Sequence, residues 1–123
     1  MNSRRKGKVG ERQARDVVRV HLFAPDCIRA AQSNGKHSAD LLNVGEGVHA
    51  EVKFVAKLGC AKFMLQATRD AKATEFPIVL MRENAGGWLL MLKPEDSLRF
   101  ARMVIKNKEQ FDAGSARQSD QDG

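Results

Sequence analysis

The sequence predicts an α/β domain in which a mixed β-sheet is flanked by helices. Three observations support this class: helix-like and strand-like segments alternate along the 123 residues, short turns join neighbouring strand-like segments, and 42% of the residues are hydrophobic. A chain of this length can bury one core, so one domain is expected. We expect a flexible basic arm over 1–8, a folded domain over 9–111 and a disordered tail over 112–123.

The helices are predicted from apolar residues that recur every three or four positions. The first is expected over 9–23, the second over 61–74, and the third over 94–111, where Pro94 opens the helix. The third helix has this predicted core side: Leu98, Ala101, Val104 and Ile105.

The strands are predicted from short runs of β-branched and apolar residues bounded by turn residues. Their expected ranges are 27–31, 39–44, 48–55, 76–82 and 88–92. The Gly45-Glu46-Gly47 turn makes a hairpin of the second and third strands, and 83–87 does the same for the last two. The element order is therefore α-β-β-β-α-β-β-α.

The strand over 48–55 has two chemically different faces, because successive side chains point in opposite directions. One face is apolar and is expected to join the core: Val48, Ala50, Val52 and Phe54. The other face carries Glu51 and Lys53, two residues apart. A solvated ion pair is the ordinary explanation of such a triplet. His49 shares this face and is expected to be a surface histidine, with contact to a site as the alternative.

The charge balance favours an anionic polymer as partner. The net charge is +6, and since 112–123 contributes −2 (three Asp, one Arg), residues 1–111 carry +6 − (−2) = +8. Basic side chains contact phosphates without reading sequence, so recognition of DNA by shape is expected. The expected DNA-binding residues are Arg4, Arg5, Lys6, Lys8, Arg12, Arg15, Lys36, Lys57, Lys62 and Arg69, with Arg19 and Lys72 beside them. A solvated basic arm without a ligand is the alternative.

Several classes of protein are excluded by the sequence. Cys27 and Cys60 have no spacing of a zinc finger. Each is expected to be a buried apolar residue in a reducing cytoplasm rather than half of a disulfide. No apolar run approaches the roughly 20 residues of a membrane span, and no hydrophobic stretch follows the basic N-terminus as in a secretory signal. A cytoplasmic protein of a bacterial, archaeal or phage-infected cell is expected.

The hairpin over 39–55 has the residues that phosphodiester hydrolysis requires. Asp40 and Glu51 offer the hard oxygen ligands that Mg²⁺ takes. The backbone carbonyl of Val52, which lies between Glu51 and Lys53 in the sequence, is a candidate third ligand. Lys53 lies on the face of Glu51, within reach of an attacking water or a developing negative charge. The sequence does not separate Mg²⁺ from Mn²⁺.

The segment Asp40-(ten residues)-Glu51-Val52-Lys53 resembles the PD-(D/E)xK nuclease motif, with Ala39 in place of the proline. The resemblance implies a restriction-endonuclease-like αβββαβ core with an extra terminal strand and helix. Within that superfamily, residues 4–100 are similar to archaeal-type Holliday-junction resolvases and their small phage relatives. The features that carry this narrower match are Arg5-Lys6-Gly7 followed by Glu11, Ser33-Asn34-Gly35, Gln66, and the hairpin of 78–92.

The resemblance implies a metal-dependent, structure-selective DNA endonuclease of recombination and repair that cuts branched double-stranded DNA as a homodimer. It implies that Asp40 and Glu51 bind the metal with help from Glu11, that Lys53 is catalytic, and that Ser33 and Gln66 assist. Ion pairing of Glu11 with Arg15, an ordinary loop role for Ser33 and a surface amide for Gln66 remain open. The alternatives in function are a flap, nicking or exonuclease of the same fold, and a non-catalytic DNA-binding protein.

Overall fold

The computed structural model describes residues 3–30 and 38–122, with side chains over 5–30 and 38–116. Its elements, in chain order, are α1 (Ser3–His21), β1 (Ile28–Arg29), β2 (Leu41–Leu42), β3 (Val48–Val55), α2 (Cys60–Asp70), β4 (Phe76–Glu83), β5 (Leu89–Leu92), a 3₁₀ turn (Pro94–Asp96) and α3 (Ser97–Asp122). The predicted order of helices and strands is confirmed.

One sheet of five strands, in the order β1-β2-β3-β4-β5, forms the centre of the molecule. β3 and β4 are parallel, and the other neighbouring pairs are antiparallel. The parallel pair is connected through α2, because parallel neighbours need a crossover rather than a tight turn. The predicted mixed sheet flanked by helices, with hairpins β2–β3 and β4–β5, is therefore confirmed.

The helices cover both faces of the sheet. The larger core lies between the sheet and the helices α1 and α3, and it includes Ala14, Val18, Ala50, Val52, Ile78, Leu80 and Met103. A smaller cluster on the opposite face, under α2, has three buried members: Ala67, Val79 and Met81. The apolar face predicted for β3 is thus the one that enters the larger core.

The two terminal helices differ from their predicted ranges. α1 begins at Ser3, and α3 continues through Asp122, so helical backbone covers most of the segments assigned to an arm and a tail. Lysines, arginines, alanines and glutamines are good helix formers, which explains how a polar segment continues a helix. Within α3, Lys108 also pairs with Asp112 one turn on, at 2.6 Å.

The predicted core side of α3 was wrong at three of its four residues. Leu98, Ala101 and Ile105 are exposed, whereas Val104 packs against the larger core beside the buried Met103. Asn107 fixes the orientation of the helix, because its amide donates to the carbonyls of Leu22 (3.0 Å) and Val44 (2.8 Å). A polar residue that bonds to two distant segments is not part of the repeating pattern of hydrophobic residues, so that pattern could not reveal it.

Candidate active site

The candidate site lies where β2 begins, beside β3. Asp40 extends the pairing by one residue, since its N–H donates to the carbonyl of Ala50 at 3.0 Å. Two residues along β3, the N–H of Val52 donates to Asp40 Oδ2 at 2.8 Å. The Asp40 side chain thus accepts the hydrogen bond that a backbone carbonyl of a neighbouring strand would otherwise accept. The N–H and C=O of one strand residue point to the same side. The carbonyl of Val52 therefore faces this edge.

The carboxyl groups of Asp40, which is half-buried, and Glu51, which is buried, form a pair at this edge. Glu51 is only 4% exposed. Burial, a hydrogen bond to Glu51 and the negative charges of Glu51 and Glu11 raise the pKa of Asp40 to about 7, although the bond from the Val52 N–H works in the other direction. Two acids so close do not both ionise readily in a low dielectric. The carboxyl group of Asp40 is therefore partly protonated near neutral pH.

His49 belongs to the same cluster, and the expectation of a surface histidine was wrong. Its side chain is 2% exposed, and its Nε2 lies 2.7 Å from Glu51 Oε1. Burial by itself lowers the pKa of His49, but the hydrogen bond and charge of Glu51, with the charges of Glu75 and Asp70, outweigh it and leave the pKa raised. The signal in the sequence was a histidine two positions before the glutamate, on one strand face; the cover that α2 provides was not visible there.

Lys53 follows Glu51 on the face of β3 that α2 covers. The side chain is half-buried, and its Nζ lies 5.7 Å from the centre of the Phe63 ring of α2. An aromatic face attracts a cation at this distance, so Phe63 holds the amine near the end of the strand. The predicted trio of Asp40, Glu51 and Lys53 is thus gathered around one stretch of β3.

Glu11 reaches the site from α1. Its Oε2 accepts from Nη2 (3.3 Å) and Nε (3.4 Å) of Arg29 in β1. The alternative of a pair with Arg15 is not what the structure has, because Arg15 contacts Asp16 at 3.1 Å. Glu11 is nonetheless close enough for its charge to act on Asp40. Sequence reasoning missed Arg29, which is 18 residues from Glu11 and meets it only in the folded chain.

The donor chemistry of the cluster fits Mg²⁺. Mg²⁺ binds through one or two carboxylates and keeps several waters. Asp40 and Glu51 supply two such groups, and the Val52 carbonyl faces the same edge. A cation there would relieve the repulsion that raises the pKa of Asp40. In the part of the chain that the structure describes, no three side chains of His, Cys, Asp and Glu form a cluster that could hold a metal by themselves.

The remaining predicted site residues lie on α1, on α2 with its preceding loop, or outside the described residues. Gln66 is half-buried on α2, the helix above Glu51 and Lys53. Ser33 and Lys36 lie outside the described residues, as does the side chain of Arg4. The exposed members of the predicted basic surface are on α1 and on α2 with its preceding loop: Arg5, Lys8, Arg12, Lys57, Lys62 and Arg69. Lys6 instead donates to the side chain of Asn84 and lies over the Phe54 ring.

A separate groove lies beside the β2–β3 turn. Its volume is about 870 Å³, and its lining includes Phe23, Asn43, Lys106 and Phe111. None of the acids of the cluster around Glu51 lines it. Size alone does not make a site, and the convergent, buried ionisable groups are at the Asp40 edge. We therefore take that edge as the candidate active site.

Compared with family models, with curated proteins and with solved structures, the chain has no match. The inference of function depends on the geometry of its own residues. Over the described ranges, 3–30 and 38–122, no helix is long and apolar enough to cross a membrane. The two cysteines are free: Cys27 is buried as expected, whereas Cys60 is exposed at the start of α2.

Proposed function

We propose that this chain is a Mg²⁺-dependent DNA endonuclease of the PD-(D/E)xK class, with a restriction-endonuclease-like core. The observation that carries the proposal is the pair of carboxyl groups of Asp40, just before β2, and Glu51 in β3. Asp40 is fixed by the backbone N–H of Val52 at 2.8 Å, and Glu51 lies two residues before Lys53 on β3. A solvent-exposed ion pair between Glu51 and Lys53 does not explain why Glu51 is only 4% exposed.

Each residue has a role that its position supports. Asp40, Glu51 and the Val52 carbonyl would hold the cation, which supplies Lewis-acid stabilisation of the phosphate and a more acidic water. The Lys53 amine, on the same strand face as Glu51, would orient the attacking water or stabilise the charge that develops on the phosphate. Glu11 would orient a water at the same edge, and Arg29 balances its charge.

Branched DNA is the proposed substrate, and a four-way Holliday junction is the form we favour. The support is the net charge of +6 and the exposed basic side chains on α1 and α2, which suit phosphate contacts and shape recognition. Two symmetric cuts in a junction favour a twofold dimer. We propose that the terminal hairpin and α3 form its interface, because Leu89 (55% exposed) and Leu98 (60% exposed) are apolar side chains there.

Cleavage of defined DNA substrates tests the proposal. Four-way junctions, flaps and linear duplexes, each labelled, are incubated with the protein in Mg²⁺ and in EDTA, while light scattering records whether the chain is a dimer. We expect paired symmetric nicks in the junction with Mg²⁺ only. Asp40→Asn and Lys53→Ala should each lower the cleavage rate by about 100-fold or more and leave junction binding within about threefold. Asp26→Asn, at an exposed acid away from this edge, is the matched control and should cut normally.

The outcomes separate the alternatives. Cutting of flaps or ends with the junction intact would keep the nuclease class and replace the substrate. Tight binding of DNA without cleavage in Mg²⁺ or Mn²⁺ would overturn the proposal and leave a DNA-binding protein. Equal rates for the wild type and Asp40→Asn would exclude this edge as the active site.

A further inference from the structure

His49 is a buried polar residue that is only 2% exposed. Burial of an imidazole without a hydrogen-bond partner costs on the order of several kcal/mol, so a partner is expected. Its partner is Glu51, whose Oε1 lies 2.7 Å from Nε2. A carboxylate only accepts hydrogen bonds, so Nε2 carries the proton and donates it. The bond joins two buried side chains two residues apart on one face of β3.

The neighbouring strand offers Glu51 no polar support. In the parallel register of β3 and β4, Glu51 lies opposite Val79 and His49 lies opposite Pro77. The terminal torsion of a glutamate is broad, so the orientation of this carboxylate depends on its hydrogen bonds with His49 and Asp40. The bond from His49 engages Oε1. Apolar packing by Val79 cannot choose between the two oxygens.

The two acids of the site are therefore held in different ways. Asp40 is anchored by the backbone N–H of Val52, and Glu51 is anchored by the side chain of His49. Carboxylates that bind metals are usually held by such additional hydrogen bonds, and loss of one typically lowers metal affinity by about 10- to 100-fold. We propose that His49 is a positioning residue that orients Glu51 for a divalent cation. This inference rests on the proposed function, since it assigns the cation to the same edge.

Binding of Mn²⁺ alone, followed by electron paramagnetic resonance without DNA, tests the proposal. His49→Leu and His49→Gln form a matched pair, because both side chains approximate the volume of histidine and only glutamine donates a hydrogen bond. We expect His49→Leu to weaken Mn²⁺ binding by about 10- to 100-fold and His49→Gln by less than about threefold. His21→Leu, at an exposed histidine near the end of α1, should bind as the wild type does.

Thermal unfolding in EDTA and in saturating Mn²⁺ separates positioning from packing. A structural role alone would lower the melting temperature equally in both conditions, whereas a positioning role reduces the increase that Mn²⁺ gives. Equal Mn²⁺ affinity in wild type and His49→Leu would overturn the proposal. If His49→Leu does not fold, a loss of about tenfold or more in folded His49→Gln would overturn it, and retention would support it.

The same measurements distinguish this inference from the proposed function. A wild-type protein that binds Mn²⁺ with an affinity that depends on His49, but cuts no DNA, would overturn the nuclease and support the positioning role. If the wild-type protein cuts DNA but its Mn²⁺ affinity is the same in all His49 variants, the nuclease is supported and the positioning role is overturned. A wild-type protein without affinity for Mn²⁺ would overturn both.

Discussion

The two faces of β3 meet different surroundings although one strand of eight residues supplies both. Towards α1 and α3, the strand contributes Ala50 and Val52 to the larger apolar core. Towards α2, it contributes His49 and Glu51, beside a cluster with only three buried apolar residues. Apolar burial stabilises a fold, whereas buried ionisable groups oppose folding unless they are paired. The first face holds the domain together, and the second holds ionisable groups at a cost in stability.

The largest expected effect is a pH dependence of stability that belongs to the polar face. The pKa of Asp40 is raised from an ordinary 3.8 to about 7, so its contribution to stability is complete below about pH 4 and is lost as the pH rises through about 7. The raised pKa of His49 acts in the same direction. We expect the free energy of unfolding in EDTA to fall by roughly 4 kcal/mol at most across this window.

Urea unfolding at several pH values between about 4 and 8 measures this slope. Asp40→Asn should remove most of the slope, while Asp26→Asn, at an exposed acid beside α1, should keep it. Saturating Mg²⁺ should restore more stability at about pH 8 than at about pH 5, since a cation binds the ionised pair. Parallel profiles for the wild type and Asp40→Asn would mean that the polar face does not carry the cost assigned to it.

The comparison of the faces also explains what the sequence could predict. Alternation along 48–55 identified the apolar face and put Glu51 and Lys53 together on the other, because strand geometry fixes which side chains share a face. A strand pattern does not say what covers each face. The burial of His49 depends on α2, which follows in the chain, and so it could not be predicted.

Contacts between distant segments account for the remaining differences. The pair of Glu11 and Arg29 depends on how α1 lies against β1, and no periodicity relates the two residues. The orientation of α3 depends on Asn107 and two carbonyls of other segments. Hydrophobic patterns predict elements and faces well; they do not predict which polar group meets which partner across the fold.

A smaller effect is expected at the contact that seats α1 on the apolar face. A Cβ added at Gly10 would lie 2.7 Å from Cβ of Phe54, which is closer than side chains approach, so α1 must shift. Gly10→Ala should lower the free energy of unfolding by roughly 1 to 2 kcal/mol, because overpacking outweighs the better helix propensity of alanine. Since Glu11 is the next residue, cleavage should also slow.

Gly7→Ala is the matched control in the same helix. Nothing lies within 4 Å of a Cβ added there, so the substitution should stabilise the protein by up to about 1 kcal/mol and leave cleavage unchanged. Chemical denaturation and junction cleavage measure the two quantities on the same samples. If Gly10→Ala stabilises as much as Gly7→Ala does, α1 is not seated tightly on β3, and the apolar face is looser than described.

The smallest effects come from a pair of conservative changes in β4, one for each face. Ile78 joins the larger core, whereas Met81 lies opposite Lys53 under α2. Ile78→Val and Met81→Leu should each lower the free energy of unfolding by about 1 kcal/mol, because each alters buried packing only slightly. Cleavage should respond to one of them alone: Met81→Leu should slow it a few-fold by shifting the surroundings of Lys53, and Ile78→Val should not. Equal loss of cleavage in both variants, at equal stability, would show that the two faces are coupled and that the division between a supporting face and a reactive face is wrong.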